Sequence, residues 1–275
     1  MVSPHRIRYN QIFSNELNIP DLIMCVAMDS DNGETPSFLN REAVSSESYD
    51  GRYKRIHRFK FTETFAPRFT FFKKDFSNFE IDEVRVVLKW LTSKDTTSLL
   101  EAYYDDSNVV SWASIGGFVD LQTYKLANNR TIAITAVWDS ISPFAFSDLY
   151  TVTKTITSTD NKITINIDTD DNKPVYPRVT IQANNAYIKF INKHTDFFNV
   201  SKSYNSLSLS NNTSGERIVV DGANKLISSS STRRIFGDDF NWVWLELYDG
   251  KNEITIDGNC TVTLEWREVR KVGEY

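Results

Sequence analysis

Hydrophobic and polar positions alternate with a period of two near the end of the chain. Cys260, Val262, Leu264 and Trp266 fall on one side of the alternation, and Thr261, Thr263, Glu265 and Arg267 on the other. That period gives a strand one dry face and one wet face. Upstream, Trp242 to Tyr248 and Asn252 to Ile256 read as two further strands, joined through Asp249-Gly250 and Asp257-Gly258. Both positions of a tight hairpin turn must tolerate positive φ, and Asp-Gly does. The pattern therefore predicts a three-strand antiparallel meander whose last strand runs from Cys260 to Val269.

The same period recurs upstream and is interrupted once. Residues 1–50 read as a weakly structured entry holding one short apolar strand, Leu22 to Met28, and a turn at Asp31-Asn32-Gly33. Strands follow at Arg55 to Glu63 and Arg68 to Lys73. From about Phe79 to Thr92 the period lengthens: Ile81, Val84, Leu88 and Leu91 recur at helical spacing, which predicts one buried stripe. Ser77 and Glu80 are placed as a capping box for that helix. Strands resume at Ser98 to Tyr104, Val110 to Ile115, Phe118 to Leu126 and Thr131 to Trp138, with Gly116-Gly117 and Asn128-Asn129 read as turns. Ser142-Pro143-Phe144 ends the series, because proline has no amide to give a central strand. From Leu149 onward the strands are short and rich in Thr, Ser and Asn, the mark of a β-sandwich. The predicted architecture is mainly β: a domain over 1–148 with one flanking helix at about 79–92, then a sandwich over 149–275.

Composition narrows the function. The 275 residues are 40% hydrophobic and 13% aromatic, with a net charge of −5. No apolar run approaches the roughly eighteen residues of a membrane span, and the N-terminus lacks the apolar core of a signal peptide. The densest basic stretch holds Arg52, Lys54, Arg55, Arg58 and Lys60. That is too little to displace counterions from a nucleic-acid backbone, and it reads instead as a solvated or interface strand. Cys25 and Cys260 are too far apart for a disulfide framework and are expected to be buried, reduced thiols, which fits folding in a cytoplasm.

Catalytic signatures are missing. The three histidines, His5, His57 and His194, form no metal-binding pair, and no nucleophile elbow or phosphate-binding glycine loop occurs. The acidic loops Asp29 to Gly33 and Asp168 to Asn172 lack the glycine and glutamate placement of a helix-loop-helix calcium site. No catalytic, cofactor or metal residue is assigned. Trp242, Trp244 and Tyr248 are the candidates for stacking on a sugar ring or a partner. A carbohydrate-binding sandwich is the alternative function, and a sandwich glycosidase a remote third.

Three segments in order resemble the distal tail protein (Dit) family of long-tailed phages that infect Gram-positive bacteria. They are the helix end Val87-Leu88-Lys89-Trp90-Leu91, the exit Ala136-Val137-Trp138-Asp139 to Ser142-Pro143-Phe144-Ala145, and Trp244-Leu245-Glu246-Leu247 followed by Gly250-Lys251-Asn252-Glu253-Ile254. The resemblance implies an N-terminal domain that assembles into a homo-hexameric ring, single or double. It implies a C-terminal galectin-like sandwich pointing outward. The role it implies is a structural hub joining the tail tube to the tip or baseplate and anchoring tip or receptor-binding proteins. The place would be the virion tail tip, after assembly in the host cytoplasm. No cofactor, membrane or specific nucleic acid is implied.

Overall fold

The computed structural model describes residues 5–27, 41–47, 54–61, 64–104, 108–126, 130–195, 201–203, 206–232 and 234–271. The chain is mainly β, with one α-helix among these residues. It divides into two compact units, Met1–Asp148 with Arg270–Tyr275, and Leu149–Val269. Each has its own hydrophobic core.

The first unit contains β1 (Arg6–Tyr9), β2 (Ile12–Phe13), β3 (Leu22–Ala27), β4 (Arg41–Glu47), β5 (Lys54–Phe61), β6 (Arg68–Lys73), α1 (Ile81–Leu91), β7 (Ser98–Tyr103), β8 (Trp112–Lys125), β9 (Thr131–Ser140) and β10 (Ala145–Phe146). Its main sheet runs in the order β2-β1-β7-β8-β9-β6-β3. Within the entry, the described residues 5–27 form three strands and a short 3-10 turn. β1 and β2 form a hairpin around Asn10 and Gln11, both at positive φ (52° and 65°), as a two-residue turn of the right twist requires. Tyr9 thereby reaches the core. Its ring meets Phe118 at 5.2 Å, Trp138 at 5.8 Å and Trp90 at 6.1 Å, all edge to face, the favoured geometry for aromatic quadrupoles. Met28 and the turn at 31–33 lie outside the described residues.

Five expectations change here. The helix starts at Ile81, because Glu80 before it is extended (φ −70°, ψ 157°) and serves as the N-cap, while the Phe79 amide donates to the Thr131 carbonyl at 2.8 Å. The capping box shifts accordingly to Glu80 and Glu83, whose carboxylate accepts the Glu80 amide at 2.7 Å. The buried stripe is Val87, Trp90 and Leu91, flanked by the half-buried Val84 and Leu88, while Ile81 is 77% exposed. Trp90 sets that rotation: its indole N–H donates to the Tyr9 carbonyl at 3.1 Å. Gly116-Gly117 is no turn but lies inside the long strand β8. A Cβ on Gly116 would stand 2.1 Å from the Asp139 carbonyl oxygen, so glycine permits the close approach of β8 to β9. The turn at Asn128-Asn129 falls outside the described residues. Cys25 is exposed, not buried. On β3 the buried positions are Met24 and Val26, and the intervening Ile23 and Cys25 face outward.

β4 and β5 form a separate two-stranded ribbon with a register shift between Val44 and Ser45.

The second unit contains β11 (Tyr150–Ile156), β12 (Lys162–Ile167), β13 (Arg178–Ala183), β14 (Ile188–Thr195), β15 (Ser201–Ser203), β16 (Leu207–Leu209), β17 (Arg217–Asp221), β18 (Leu226–Ser229), β19 (Gly250–Asp257) and β20 (Cys260–Trp266). One sheet runs β11-β20-β13-β17-β18. The other runs β12-β19-β14-β15, with β16 also on β14. Val262 and Leu264 from the first sheet and Ile254 and Ile256 from the second share one core, so the unit is a sandwich. Burial pushes the Cys260 thiol up to about 11.

The predicted meander is corrected. β19 pairs with β12 and β14, whereas β20 pairs with β11 and β13. Asp257-Gly258 therefore carries the chain from one sheet to the other. Gly258 has φ 103°, and a Cβ there would stand 2.3 Å from the Tyr187 carbonyl oxygen. Residues 242–248 form no strand; among them Leu247 alone makes an isolated bridge, to Val175. Trp242 at φ 55° breaks the extended path. The Asn241 amide side chain holds the segment to the Ser206 carbonyl and the Ser208 amide. The strand expected over Cys260 to Val269 ends at Trp266, and a separate two-residue strand follows at Val269–Arg270.

Candidate functional site

Arg52 lies outside the described residues, and only the backbone of Lys54 and Arg55 is described. Arg58 and Lys60 are exposed on β5, and Lys60 pairs with Glu42 across the ribbon at 2.5 Å. The ribbon is more apolar than its charge suggests. Ile56 and Phe59 are exposed by 52% and 58%. The Phe61 ring meets Phe144 edge to face at 4.8 Å, which fixes one end. A two-stranded ribbon is only marginally stable in water by itself. An exposed apolar ribbon of this kind fits a surface that becomes covered.

The aromatic candidates divide. Trp242 is 57% exposed, and its indole N–H donates to the Gly237 carbonyl at 3.1 Å. Trp244 is half-buried and packs edge to face on Phe240 at 5.2 Å, and Trp242 meets the same ring at 5.4 Å. Tyr248 lies apart from that pair, against His194 at 5.4 Å. What links Trp244 and Tyr248 is a cluster the sequence did not signal. The hydroxyls of Tyr176 and Tyr248 both donate to Glu246, at 2.9 and 2.6 Å, one to each carboxylate oxygen. The Lys225 ammonium stands 3.4 Å from the centroid of Tyr176 and 5.3 Å from that of Trp244. Burial pushes the Tyr176 phenol up, reinforced by its bond to Glu246. Burial likewise pushes Lys225 down, against the nearby Glu246 charge. No sequence spacing links these residues, which meet only when the β17–β18 turn folds onto the 244–248 segment.

Asn252, from the Gly-Lys-Asn-Glu-Ile run, is fully buried. Its amide donates to the carbonyls of Tyr248 (2.6 Å) and Gly250 (3.0 Å), and its oxygen accepts from the Tyr248 amide (3.0 Å) and the Asn192 side chain (2.9 Å). The residue positions the loop that carries Glu246 and Tyr248. Away from this cluster, Arg234 is buried, its side chain 7% exposed, against Glu216 at 2.5 Å. It also donates to the Ser210 carbonyl and to Asn212. This network anchors the loop before Trp242. Among the described residues no three His, Cys, Asp or Glu side chains gather to hold a metal ion.

Comparison with known proteins gives two kinds of match. Residues 144–266 match the family model described as a phage tail C-terminal domain. Over the whole chain the fold is similar to that of the Dit protein of phage SPP1, described as a paradigm of hub adsorption apparatus in phages infecting Gram-positive bacteria. The TM-score is 0.63 at 9% identity, covering 95% of this chain and 98% of that one. Chains of the phage p2 baseplate in its activated conformation also align. With strontium the TM-score is 0.48 at 9% identity over 99% of each chain. With calcium it is 0.45 at 8% identity over 98% and 99%. Those two scores are too low to argue fold. No curated protein matches by sequence. The resemblance read from the three sequence segments thus holds at the level of the fold.

Proposed function

We propose that the chain is a structural hub of a phage tail. Six copies close a ring that joins the tail tube to the tip or baseplate, and the outward sandwich anchors further tip proteins. The observation that carries this reading is the Dit-like fold spanning both units. The match of residues 144–266 to a phage tail domain adds to it. The exposed apolar and basic ribbon β4–β5 supplies a surface for a neighbouring copy. Ring closure needs two different, complementary patches on each copy. A stable interface buries more than about 1,000 Å², and a separate ribbon with exposed Ile56 and Phe59 adds to the area a copy can cover. In this reading Arg58 and Lys60 lie at the subunit boundary or face the channel, together with Arg52, Lys54 and Arg55 from the same basic stretch.

Mass photometry of the purified chain tests it. Particles of six or twelve copies are expected, with rings and a central channel in negative stain. A strict monomer at micromolar concentration overturns the proposal.

A further inference from the structure

The cluster around Lys225 is built like a receptor for a cation. Two aromatic faces, Tyr176 and Trp244, border one ammonium, and the carboxylate of Glu246 accepts the Tyr176 hydroxyl. Faces of Trp and Tyr attract cations through their quadrupoles, and cages of this kind recognise organic ammonium groups. We propose that the Tyr176–Trp244 cage is an ammonium-binding site, filled here by the protein's own Lys225, and that it receives a lysine side chain of a partner tail protein. The partner rests on the hub reading above.

Three observations favour this over a sugar site or a plain structural staple. Lys225 sits on the exposed turn between β17 and β18 at φ 55°, and its amine makes no hydrogen bond or ion pair among the described residues. Another ammonium can therefore replace it without breaking a directed bond. Both oxygens of Glu246 accept tyrosine hydroxyls, which hold the carboxylate in place as a fixed negative charge beside the cage. The occupant in view is itself a primary ammonium on a flexible aliphatic stem, which is the chemistry the proposal assigns to the partner.

The test uses the full chain with Lys225→Ser, and Lys225→Gln as a second vacated variant should the first fail to fold. The probe is Nα-acetyl-lysine N-methylamide, followed by ligand-observed NMR. Its methylene protons next to nitrogen should shift upfield in a saturable way, because they lie over aromatic faces. The wild-type chain should bind at least tenfold more weakly, since its own lysine competes. Adding Tyr176→Leu to the vacated variant should abolish the shift.

A natively folded vacated variant that gives no saturable shift overturns the proposal. So does equal binding by wild type and variant. Choline binding without binding of the lysine probe overturns the lysine partner. Mass photometry on the same samples separates the two readings. Rings without probe binding sink the cage and leave the hub; probe binding without rings sinks the hub and, with it, the tail-protein partner.

Discussion

At the residue scale, the most exacting site in the second unit is Arg234 against Glu216. Both side chains are almost fully buried, and burying charge is costly unless it is paired and hydrogen-bonded. Glu216 is well supplied. Ser229 donates to one oxygen at 2.5 Å, and the Thr213 amide to the other at 2.9 Å, the same oxygen that Arg234 meets. Truncating Arg234→Ala leaves an uncompensated buried carboxylate, and a loss of about 3–5 kcal/mol in urea unfolding is expected. The paired change Arg234→Met with Glu216→Leu should cost clearly less, since it removes both charges. Burial raises the Glu216 carboxyl, but the Ser229 and Thr213 hydrogen bonds and the Arg234 charge more than offset this, so it lies below the ordinary carboxylate value. As pH falls, the unfolded chain therefore takes up this proton before the native protein does. The stabilisation is complete above the unfolded value of about 4.3 and is lost as pH drops through the lower native one. The gap in urea midpoint between wild type and Glu216→Gln should be constant near neutrality and shrink below about pH 4.3.

At the element scale, the close approach of β8 to β9 at Gly116 carries a prediction of its own. Gly116→Ala places a methyl against the Asp139 backbone, where no side-chain rotation can relieve it. A loss of about 1–3 kcal/mol is expected, as for other overpacked sites. Gly117→Ala meets nothing within 4 Å and should be milder in the same thermal or urea melt. This pair also shows what could and could not be read from the chain. The burial alternation of β20 was plain, because a strand's inward face depends only on its own period. Sheet membership was not: a turn between two sheets and a hairpin both ask Gly258 for positive φ, and distant β12, β14, β11 and β13 decide which one forms. The helix start is hidden for a like reason, since the extended backbone at Glu80, next to the Phe79 amide that donates to Thr131, has no local signature. Gly-Gly marks a turn or a close contact equally well in sequence. The site was the least visible of all: Trp244 and Tyr248 could be named, but Tyr176, Lys225 and Glu246 come together only through the fold.

At the scale of the whole molecule, two separate cores mean that damage to one need not spread to the other. If the ring is built by the first unit, assembly and sandwich stability should be separable by mutation. Phe59→Asp places a charge on the exposed ribbon, outside both cores. It should abolish the multi-copy particles in mass photometry while leaving the near-ultraviolet circular dichroism of the isolated chain close to wild type. Phe190→Ala empties a fully buried position of the sandwich, at an expected cost of about 3–5 kcal/mol. It should lower the midpoint of one unfolding transition and leave the particles intact at temperatures below it. Chains of more than one unit often depart from two-state unfolding, so two transitions of which Phe190→Ala moves one are the expected form of the melt. Should Phe59→Asp leave the rings whole, the ribbon is not the joint between copies, and the interface must be sought elsewhere in the first unit. Should Phe190→Ala dissolve the rings at low temperature, the sandwich itself holds copies together, and the division of labour between a ring-building unit and an anchoring unit falls.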